Sequence, residues 1–484
     1  MNNSAEAAEA SPSDVPAEGR YPAVASSRQR LVLVLLLASQ FMLSVDFSIL
    51  NVALPDVGTS LGFASSNVQW IATSFAVCAA GFMLLFGRLA DYVGRRRMFL
   101  IGMTVLAAAS LLGGFAQSPA VLIVARVLQG LATAAVTPAA LSLLTVAFPD
   151  GPLRRRALGL SSVMLMFGFT AGAILGGVLT DVLSWRWAFL INVPVAIFVV
   201  AVGPFVLREP AERALGKLDA RGAVLITAGL IALVYAATRF GAEGVGDVVG
   251  LVLLLVSIVL IGVFVRAEGH HPAPLVPMSL LRHRLVLFGH VAGLATFLLE
   301  TGLVFLSTMY LQNIMGLNPL QTGLTFGAQG VGAIIGGTLA PRIIGASSVR
   351  FTAAAGLTVQ GGFIATLVLI GRGDASLWLF GAAAFLQAMG HVCAVVAFMV
   401  AATSGLADRE QGLATGMATM TQQVAIALGA PVLSAIATAA GGFHSLTALR
   451  TALGVDAALL VLAAVTVASK MKADHRDPAG PPTA

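Results

Sequence analysis

A short basic segment at residues 87–97 decides the fold, and it reads GRLADYVGRRR. Apolar runs flank this segment on both sides, at 67–88 and 98–117. A helix that crosses a lipid bilayer needs about 20 predominantly apolar residues, and each run supplies that length. The segment therefore predicts a tight, positively charged connection between two membrane-spanning helices, in which Gly87 and Gly94 permit the sharp turn.

Runs of the same kind recur along the chain. Hydrophobic residues make up 58% of the 484 residues and charged residues only 10%, whereas a soluble domain carries about 25% charged residues. This composition excludes an ordinary soluble protein. We count fourteen spanning runs, near 31–54, 67–88, 98–117, 120–147, 157–180, 187–207, 222–240, 248–266, 285–311, 320–341, 350–370, 376–404, 412–438 and 447–469.

The basic residues orient these helices. Of the 28 Lys and Arg residues, 23 fall in the tails and loops on the same side of the membrane as the N-terminus. Four fall on the opposite side, namely Arg186, Arg239, Arg372 and Arg450. Cytoplasmic loops carry such an excess of positive charge. We therefore expect a multi-pass protein of the bacterial cytoplasmic membrane with both termini in the cytoplasm. The net charge of +6 then reflects the bilayer as partner and not nucleic acid.

The segments outside the helices are short. Residues 1–30 are predicted to be a disordered cytoplasmic tail and 470–484 a second cytoplasmic tail. The longest inner loops, 208–221 and 267–284, are too short for a catalytic domain. The sequence contains no phosphate-binding loop and no hydrolase or metalloprotease motif. No metal-ligand spacing is present either. We therefore expect no enzyme, no metal and no cofactor beyond protons, and a transport-dead sensor or membrane enzyme is a remote alternative.

Further motifs follow in order along the chain. They are DFSILNVALP at 46–55, RVLQG at 126–130, the glycines Gly168, Gly172, Gly176 and Gly177, WRWAFLINVP at 185–194, and YLQ with its following Gly and Pro at 310–323. Together with 87–97, they resemble the motifs of the fourteen-span drug:proton antiporters of the major facilitator superfamily. Ala173 stands where that family usually has proline. A degraded copy of the 87–94 segment at 337–345 indicates duplicated halves.

The resemblance implies an all-α membrane protein of the major facilitator fold. We expect an N-terminal six-helix bundle at 31–207, a linker with two extra helices at 208–284, and a C-terminal six-helix bundle at 285–469. It implies a monomeric, proton-coupled antiporter that exports amphipathic drugs or antibiotics by alternating access. It further assigns a gating loop and a helix-packing motif. The gating loop comprises Gly87, Asp91, Gly94, Arg95 and Arg96, and the packing motif comprises Gly168, Gly172, Gly176 and Gly177.

Four charged residues lie well inside predicted spans, away from the span ends, namely Asp46, Arg126, Glu300 and Asp456. Charge within the bilayer is costly, so each is a candidate functional residue. We hypothesise that Asp46 and Arg126 form or gate a charge pair and that Glu300 carries the coupled proton, since removal from water favours the neutral carboxyl. The alternatives are a structural Asp46–Arg126 pair, a water-exposed cavity wall at Glu300, and a structural role for Asp456.

Neutral polar residues mark a candidate substrate cavity: Asn51, Gln129, Gln329, Gln387, His391 and Gln422. Gln387 and His391 are four residues apart and share a helix face. His391 is either a proton relay or a hydrogen-bonded packing residue. Three membrane acids against one arginine favour cationic or neutral substrates. A dedicated exporter of one metabolite, natural product or siderophore is the alternative function.

Overall fold

The computed structural model describes residues 26–63, 68, 70–148, 152–209, 220–269, 280–404, 408–443 and 445–471. The described chain forms fourteen long helices and no strand. They are α1 (Ser27–Leu61), α2 (Trp70–Val93), α3 (Arg95–Gly114), α4 (Pro119–Ala147), α5 (Pro152–Val182), α6 (Trp187–Val206), α7 (Ala220–Glu243), α8 (Val248–Glu268), α9 (Arg284–Met309), α10 (Pro319–Ala346), α11 (Val349–Thr366), α12 (Asp374–Thr403), α13 (Asp408–Ala439) and α14 (Leu446–Lys470).

The predicted number of spans is confirmed. Within the described residues, thirteen helices are long and apolar enough to cross a membrane. The fourteenth is α2, which is bent by 54° between Trp70–Met83 and Leu85–Val93. Fourteen crossings leave both chain ends on one side. We call that side the terminal end and the opposite side, where α1 ends and α2 begins, the distal end.

Several helices begin at residues that cap them. Ser26 and Gln29 form a capping box at the start of α1, and Asn318 and Gln321 form another at the start of α10. Such side chains satisfy backbone N–H groups that have no partner within the helix. Residues 27–30, which we assigned to a disordered tail, therefore belong to α1. The rest of that predicted tail, through residue 25, lies outside the described residues, as does 472–484 of the second one.

The segment at 87–97 differs from the predicted loop. Helix α2 continues to Val93 and α3 begins at Arg95, so Gly94 alone separates them. Its φ of 110° is a conformation that favours glycine. Gly87 is helical, and a Cβ there would lie 3.6 Å from Pro138 of α4, so it serves close packing and not a turn. Charged residues at the bilayer surface can remain helical, which is why apolar runs underestimate helix length.

The helices pack in two equivalent sets of six. Helix α1 packs on α5, and α4 packs on α2 and α3, while α3 also packs on α6. The same contacts recur eight helices later: α9 packs on α13, α12 on α10 and α11, and α11 on α14. Each set is a six-helix bundle, and the bundles are related as the repeated halves of a transporter.

The two inserted helices lie on one side of the junction between bundles. Helix α7 packs on both α2 and α13. Thr227 Oγ1 of α7 donates to Gly81 O of α2 over 2.6 Å, and Thr438 Oγ1 of α13 donates to Gly241 O of α7 over 2.8 Å. Helix α8 packs on α7 and exposes apolar side chains that suit a lipid environment, including Leu251, Leu255 and Ile258.

The second junction is a direct contact between α5 and α10. A Cβ at Gly177 would lie 2.5 Å from Pro319 O, and a Cβ at Gly323 would lie 2.7 Å from Ala173 O. Small residues allow the backbones of membrane helices to approach this closely. Gln312 Nε2, in the π-helical turn after α9, also donates to Val52 O of α1 over 2.9 Å. These contacts hold the bundles together at the distal end.

Candidate functional site

Asp46 and Arg126 form a buried ion pair in the N-terminal bundle. Asp46 Oδ2 lies 3.1 Å from Arg126 Nη1, and the two residues are 0% and 1% exposed. Arg126 Nε donates to Ile71 O of α2 over 2.9 Å, and the guanidinium lies 4.3 Å from the centre of the Phe75 ring. The pair therefore joins α1 to α4 and receives support from α2.

Three neutral side chains complete this N-terminal cluster. Gln129 Nε2 donates to Asp46 Oδ1 over 2.9 Å, while Gln129 Oε1 accepts from Arg126 Nη1 over 2.9 Å. Asn192 Nδ2 of α6 also donates to Asp46 Oδ1, and it contacts Ser110 Oγ of α3 at 3.1 Å. Both carboxylate oxygens thus have donors. A buried charge that is paired and hydrogen-bonded in this way suits a permanent ionic junction of four helices.

Glu300 has a different set of partners in the C-terminal bundle. This residue of α9 is 5% exposed. Its Oε1 accepts from Gln329 Nε2 of α10 and from Gln387 Nε2 of α12, the latter at 3.4 Å, and its Oε2 accepts from Gln360 Nε2 of α11 over 3.2 Å. Amides stabilise a carboxylate less than a guanidinium does. This carboxyl can therefore gain and lose a proton more easily than Asp46.

His391 lies beside Glu300 and forms its hydrogen bond with Thr296. Its Nδ1 is 3.9 Å from Glu300 Oε2 and 2.9 Å from Thr296 Oγ1. Thr296 Oγ1 also contacts Gln360 Oε1 at 2.7 Å, so these residues form one continuous network. The imidazole can act as a neutral hydrogen-bonding group here, and a protonated form would supply a cation for Glu300.

Asp456 of α14 is the remaining membrane acid. It is 0% exposed, and neither carboxyl oxygen has a hydrogen-bond partner among the described residues. Its helix packs on α9, α11 and α13. The structure thus adds a second buried acid to the bundle that holds Glu300.

The two polar clusters occupy related positions. Asp46 on α1 and Asn192 on α6 have Glu300 on α9 and Asp456 on α14 as their counterparts, eight helices later. Asp456 lies about one turn deeper in its helix than Asn192 does. The position that a fixed arginine takes on α4 has only Gln387 and His391 as polar counterparts on α12. The N-terminal bundle therefore holds one acid with a fixed cation, and the C-terminal bundle holds two acids without a fixed cation.

A small cavity lies between the bundles near the C-terminal cluster. Its volume is about 10 Å³, and Ser48, Asn51, Thr170, Val304 and Gln329 are among its lining residues. That volume holds about one water molecule. Gln329 both lines the cavity and bonds Glu300, so it connects the predicted cavity to the acid. Gln129 and Gln387 are fully buried in the clusters, and Gln422 of α13 is half-buried.

The predicted gating loop makes contacts within the N-terminal bundle. Arg95 Nη2 lies 3.1 Å from Asp91 Oδ1, and Arg96 Nη2 donates to Pro204 O over 2.6 Å. The backbone N–H of Arg96 donates to Glu209 Oε1 over 3.4 Å. These bonds hold the joint at Gly94 to the end of α6. A gating role for the loop stays a prediction.

The glycines of α5 face two directions. A Cβ at Gly168 would lie 2.7 Å from Phe41 O, and one at Gly172 would lie 2.8 Å from Val45 O; Gly176 likewise packs against Ile49 O. All three face α1, whereas Gly177 faces Pro319 of α10 across the junction. Ser48 Oγ also donates to Phe169 O over 2.6 Å. The predicted packing motif therefore contacts both its own bundle and the other one.

Comparison with known proteins now identifies the family. A model of the Major Facilitator Superfamily matches residues 36–430 and again 291–484. The chain belongs to this superfamily. The facilitator is 33% identical to the puromycin resistance protein of Streptomyces alboniger over 433 residues, which are 88% of this chain and 86% of that protein.

Two further relatives match this chain over a similar share of its length. The cephamycin export protein of Amycolatopsis lactamdurans is 35% identical over 412 residues, which cover 84% of this chain and 85% of that protein. The lincomycin resistance protein of Streptomyces lincolnensis is 31% identical over 418 residues, or 85% of each chain. The family predicted from the motifs is confirmed, and the facilitator is a multi-pass membrane protein.

Sequence reasoning missed four polar residues of the facilitator's site. Asn192 contacts Asp46, and Ser110 contacts Asn192 and Gln129. Gln312 contacts the opposite bundle, and Gln360 contacts Glu300. Asn192 and Gln312 lie within quoted motifs, so their positions were available. Ser110 and Gln360 lie in runs without a motif, and only the packing of helices places them. Within the described residues, no group of His, Cys, Asp and Glu could hold a metal ion.

Proposed function

We propose that this facilitator is a proton-coupled antiporter that exports amphipathic antibiotics or drugs from the cytoplasm. Its relatives are named for resistance to, or export of, puromycin, cephamycin and lincomycin. The observation that carries the proton part is Glu300, a buried carboxyl held by three neutral amides and by no arginine or lysine among the described residues. The protein would act as a monomer in the bacterial cytoplasmic membrane, with cytoplasmic termini.

Gln329 links the protonation of Glu300 to the contact between the two bundles. It donates to Glu300 Oε1, lines the cavity between the bundles, and belongs to α10, which forms the direct junction with α5. Protonation of Glu300 weakens the carboxylate as an acceptor, so the amide of Gln329 loses part of its hold on α9. We infer that this change favours separation of α10 from α5 and opening of the distal end.

The substrate preference follows from the same charges. Arg126 is neutralised by Asp46, whereas the acids of the C-terminal bundle have no fixed cation in the described chain. A cationic or neutral amphipathic molecule would therefore meet no uncompensated positive charge in the centre of the protein. Asn51 and Gln329, which line the small cavity, are the first candidates for polar contacts with it.

The decisive experiment is transport in proteoliposomes with an imposed pH gradient. Puromycin and ethidium serve as probes, and the variants are Glu300→Gln and Asp181→Asn. Asp181 is an exposed acid at the distal end of α5, so it gives the same chemical change outside the cluster. We expect gradient-driven transport by wild type and Asp181→Asn, and loss of that transport in Glu300→Gln. Wild-type transport by Glu300→Gln would refute the assigned proton carrier.

A second candidate is dedicated export of one natural product. Each of the three relatives above is named for a single antibiotic, which favours a narrow substrate range. Expression in a pump-deficient host, followed by a susceptibility panel of dyes and antibiotics, separates the two candidates. A broad rise in resistance supports the multidrug exporter, and a rise confined to one compound class supports the dedicated one.

A further inference from the structure

Asp456 is a carboxyl group for which the fold supplies no donor. It is 0% exposed, and both of its oxygens lack a hydrogen-bond partner in the described chain. Its backbone is held closely, since a Cβ at Gly361 of α11 would lie 3.1 Å from Ala457 O. An ionised carboxylate without donors or cations is very costly at such depth. A neutral acid is the form that this environment accepts.

The charged neighbour of Asp456 is another acid. Glu300 lies on α9, which packs directly on α14, the helix of Asp456. His391 on α12 lies beside Glu300, but Thr296 occupies its Nδ1 at 2.9 Å. Among the described residues, no arginine or lysine pairs with either acid. Since no fixed cation offsets either charge, the two acids should release their protons in two separate steps.

The cluster also has an unused hydrogen-bond acceptor. Gln387 Nε2 donates to Glu300 Oε1 at 3.4 Å, whereas the buried Gln387 Oε1 has no donor in the described chain. An amide can turn over, so that its oxygen accepts from a protonated carboxyl where its nitrogen donated to an ionised one. Gln387 can therefore serve both protonation forms of the neighbouring acid.

We propose that Asp456 is a second proton-binding residue, which together with Glu300 gives the C-terminal bundle two exchangeable protons. The role of these protons in transport rests on the proposed function, whereas their binding does not. The surroundings of the two corresponding positions explain why one is asparagine and the other is aspartate. Its counterpart Asn192 serves a carboxylate already paired with arginine, while Asp456 brings a second acid to a site without a fixed cation.

The test measures protons on the purified, lipid-reconstituted full chain without any substrate. Infrared difference spectra between acidic and alkaline pH report the carbonyl band of protonated carboxyl groups, and back-titration counts the protons released. We compare wild type with Asp456→Asn, Glu300→Gln, the double variant and the control Asp181→Asn. The band from buried acids should lose one component in each single variant and both in the double variant, with the control unchanged.

Each outcome decides the assignment. An Asp456→Asn protein that keeps the wild-type band and proton count overturns it. If Asp456→Asn does not fold, Glu300→Gln still decides: one remaining buried-acid component supports the assignment, and none overturns it. Proton-independent puromycin transport by the wild type would refute the proposed function and leave the two-proton result standing. The two failures are therefore distinguishable.

Discussion

The two bundles place a carboxyl group on corresponding helices, α1 and α9, and surround it in opposite ways. Asp46 has a guanidinium and two amide donors, and it is sealed among four helices. Glu300 has three amides and shares its bundle with a second, donorless acid. One duplicated architecture therefore holds an acid paired with arginine in its first half and two acids without arginine or lysine partners among the described residues in its second. Burial is common to both acids, so it is the absence of a fixed cation that supports the proposed proton-carrying role of Glu300.

The largest effect should follow from breaking the fixed pair. Asp46→Asn leaves Arg126 charged and buried without its counterion, and removal of one partner of a buried pair costs about 3–5 kcal/mol. We expect a strongly lowered melting temperature in detergent. The double variant Asp46→Asn/Arg126→Gln should recover part of it, because no uncompensated charge remains. Equal melting temperatures for wild type and Asp46→Asn would show that the pair is not structural.

A smaller effect should follow from making the first cluster resemble the second. Asn192→Asp adds an acid next to Asp46 and removes one of its donors, at a cost of about 1–3 kcal/mol. The cost should grow as the pH rises, because the new carboxyl ionises freely only in the unfolded chain. Melting temperatures measured across a pH series check this trend. A loss of stability that is independent of pH would point to packing and not to charge.

Glu300→Gln should change stability little while it changes transport most. The amide resembles a protonated carboxyl, and its neutral neighbours lose no counterion, so we expect a change within about 1 kcal/mol. The melting temperature of this variant, measured beside that of Asp46→Asn, compares the two halves directly. A loss of stability as large as that of Asp46→Asn would place Glu300 in the same structural class.

The smallest effect should come from the same chemistry at the distal surface. Arg239 Nη2 lies 2.6 Å from Asp247 Oδ1, and these hydrogen bonds lower the pKa of the Asp247 carboxyl. The stabilising contribution is therefore present above the usual pKa of aspartate and is lost as the pH falls through the lowered value. Asp247→Asn should lower the melting temperature only slightly at neutral pH, and added salt should reduce the difference. A salt-independent loss would contradict a screened ion pair, because asparagine can still accept the bond from Gly250 N–H that caps α8.

The sequence was sufficient for the fold and for part of the site. Apolar runs of membrane length, separated by basic loops, have few alternative folds, so the fourteen helices could be counted. Charged residues are rare within spans, which is why Asp46, Arg126, Glu300 and Asp456 were evident. The pairing of Asp46 with Arg126 was also predictable. Ser110 and Gln360 were not, because they carry no such signal and become recognisable only when helix packing sets which faces meet.

Helix ends were the weaker part of the prediction. Hydropathy marks where a helix leaves the bilayer, whereas hydrogen bonding and caps mark where it ends. The segment at 87–97 shows the difference, since its charged residues continue α2 and α3 up to Gly94. The capping box at Ser26 is the sequence signal that would have placed the start of α1 correctly.

The position of α7 makes the two junctions between the bundles unequal. This helix covers the α2–α13 junction and is bonded to both sides of it. No helix of the described chain covers the α5–α10 junction in the same way. A compound dissolved among the lipid tails would therefore face α7 at the first junction, and at the second it would face the direct contact of α5 with α10. Lateral entry of such a compound at this junction would require α5 and α10 to separate near Gly177 and Gly323.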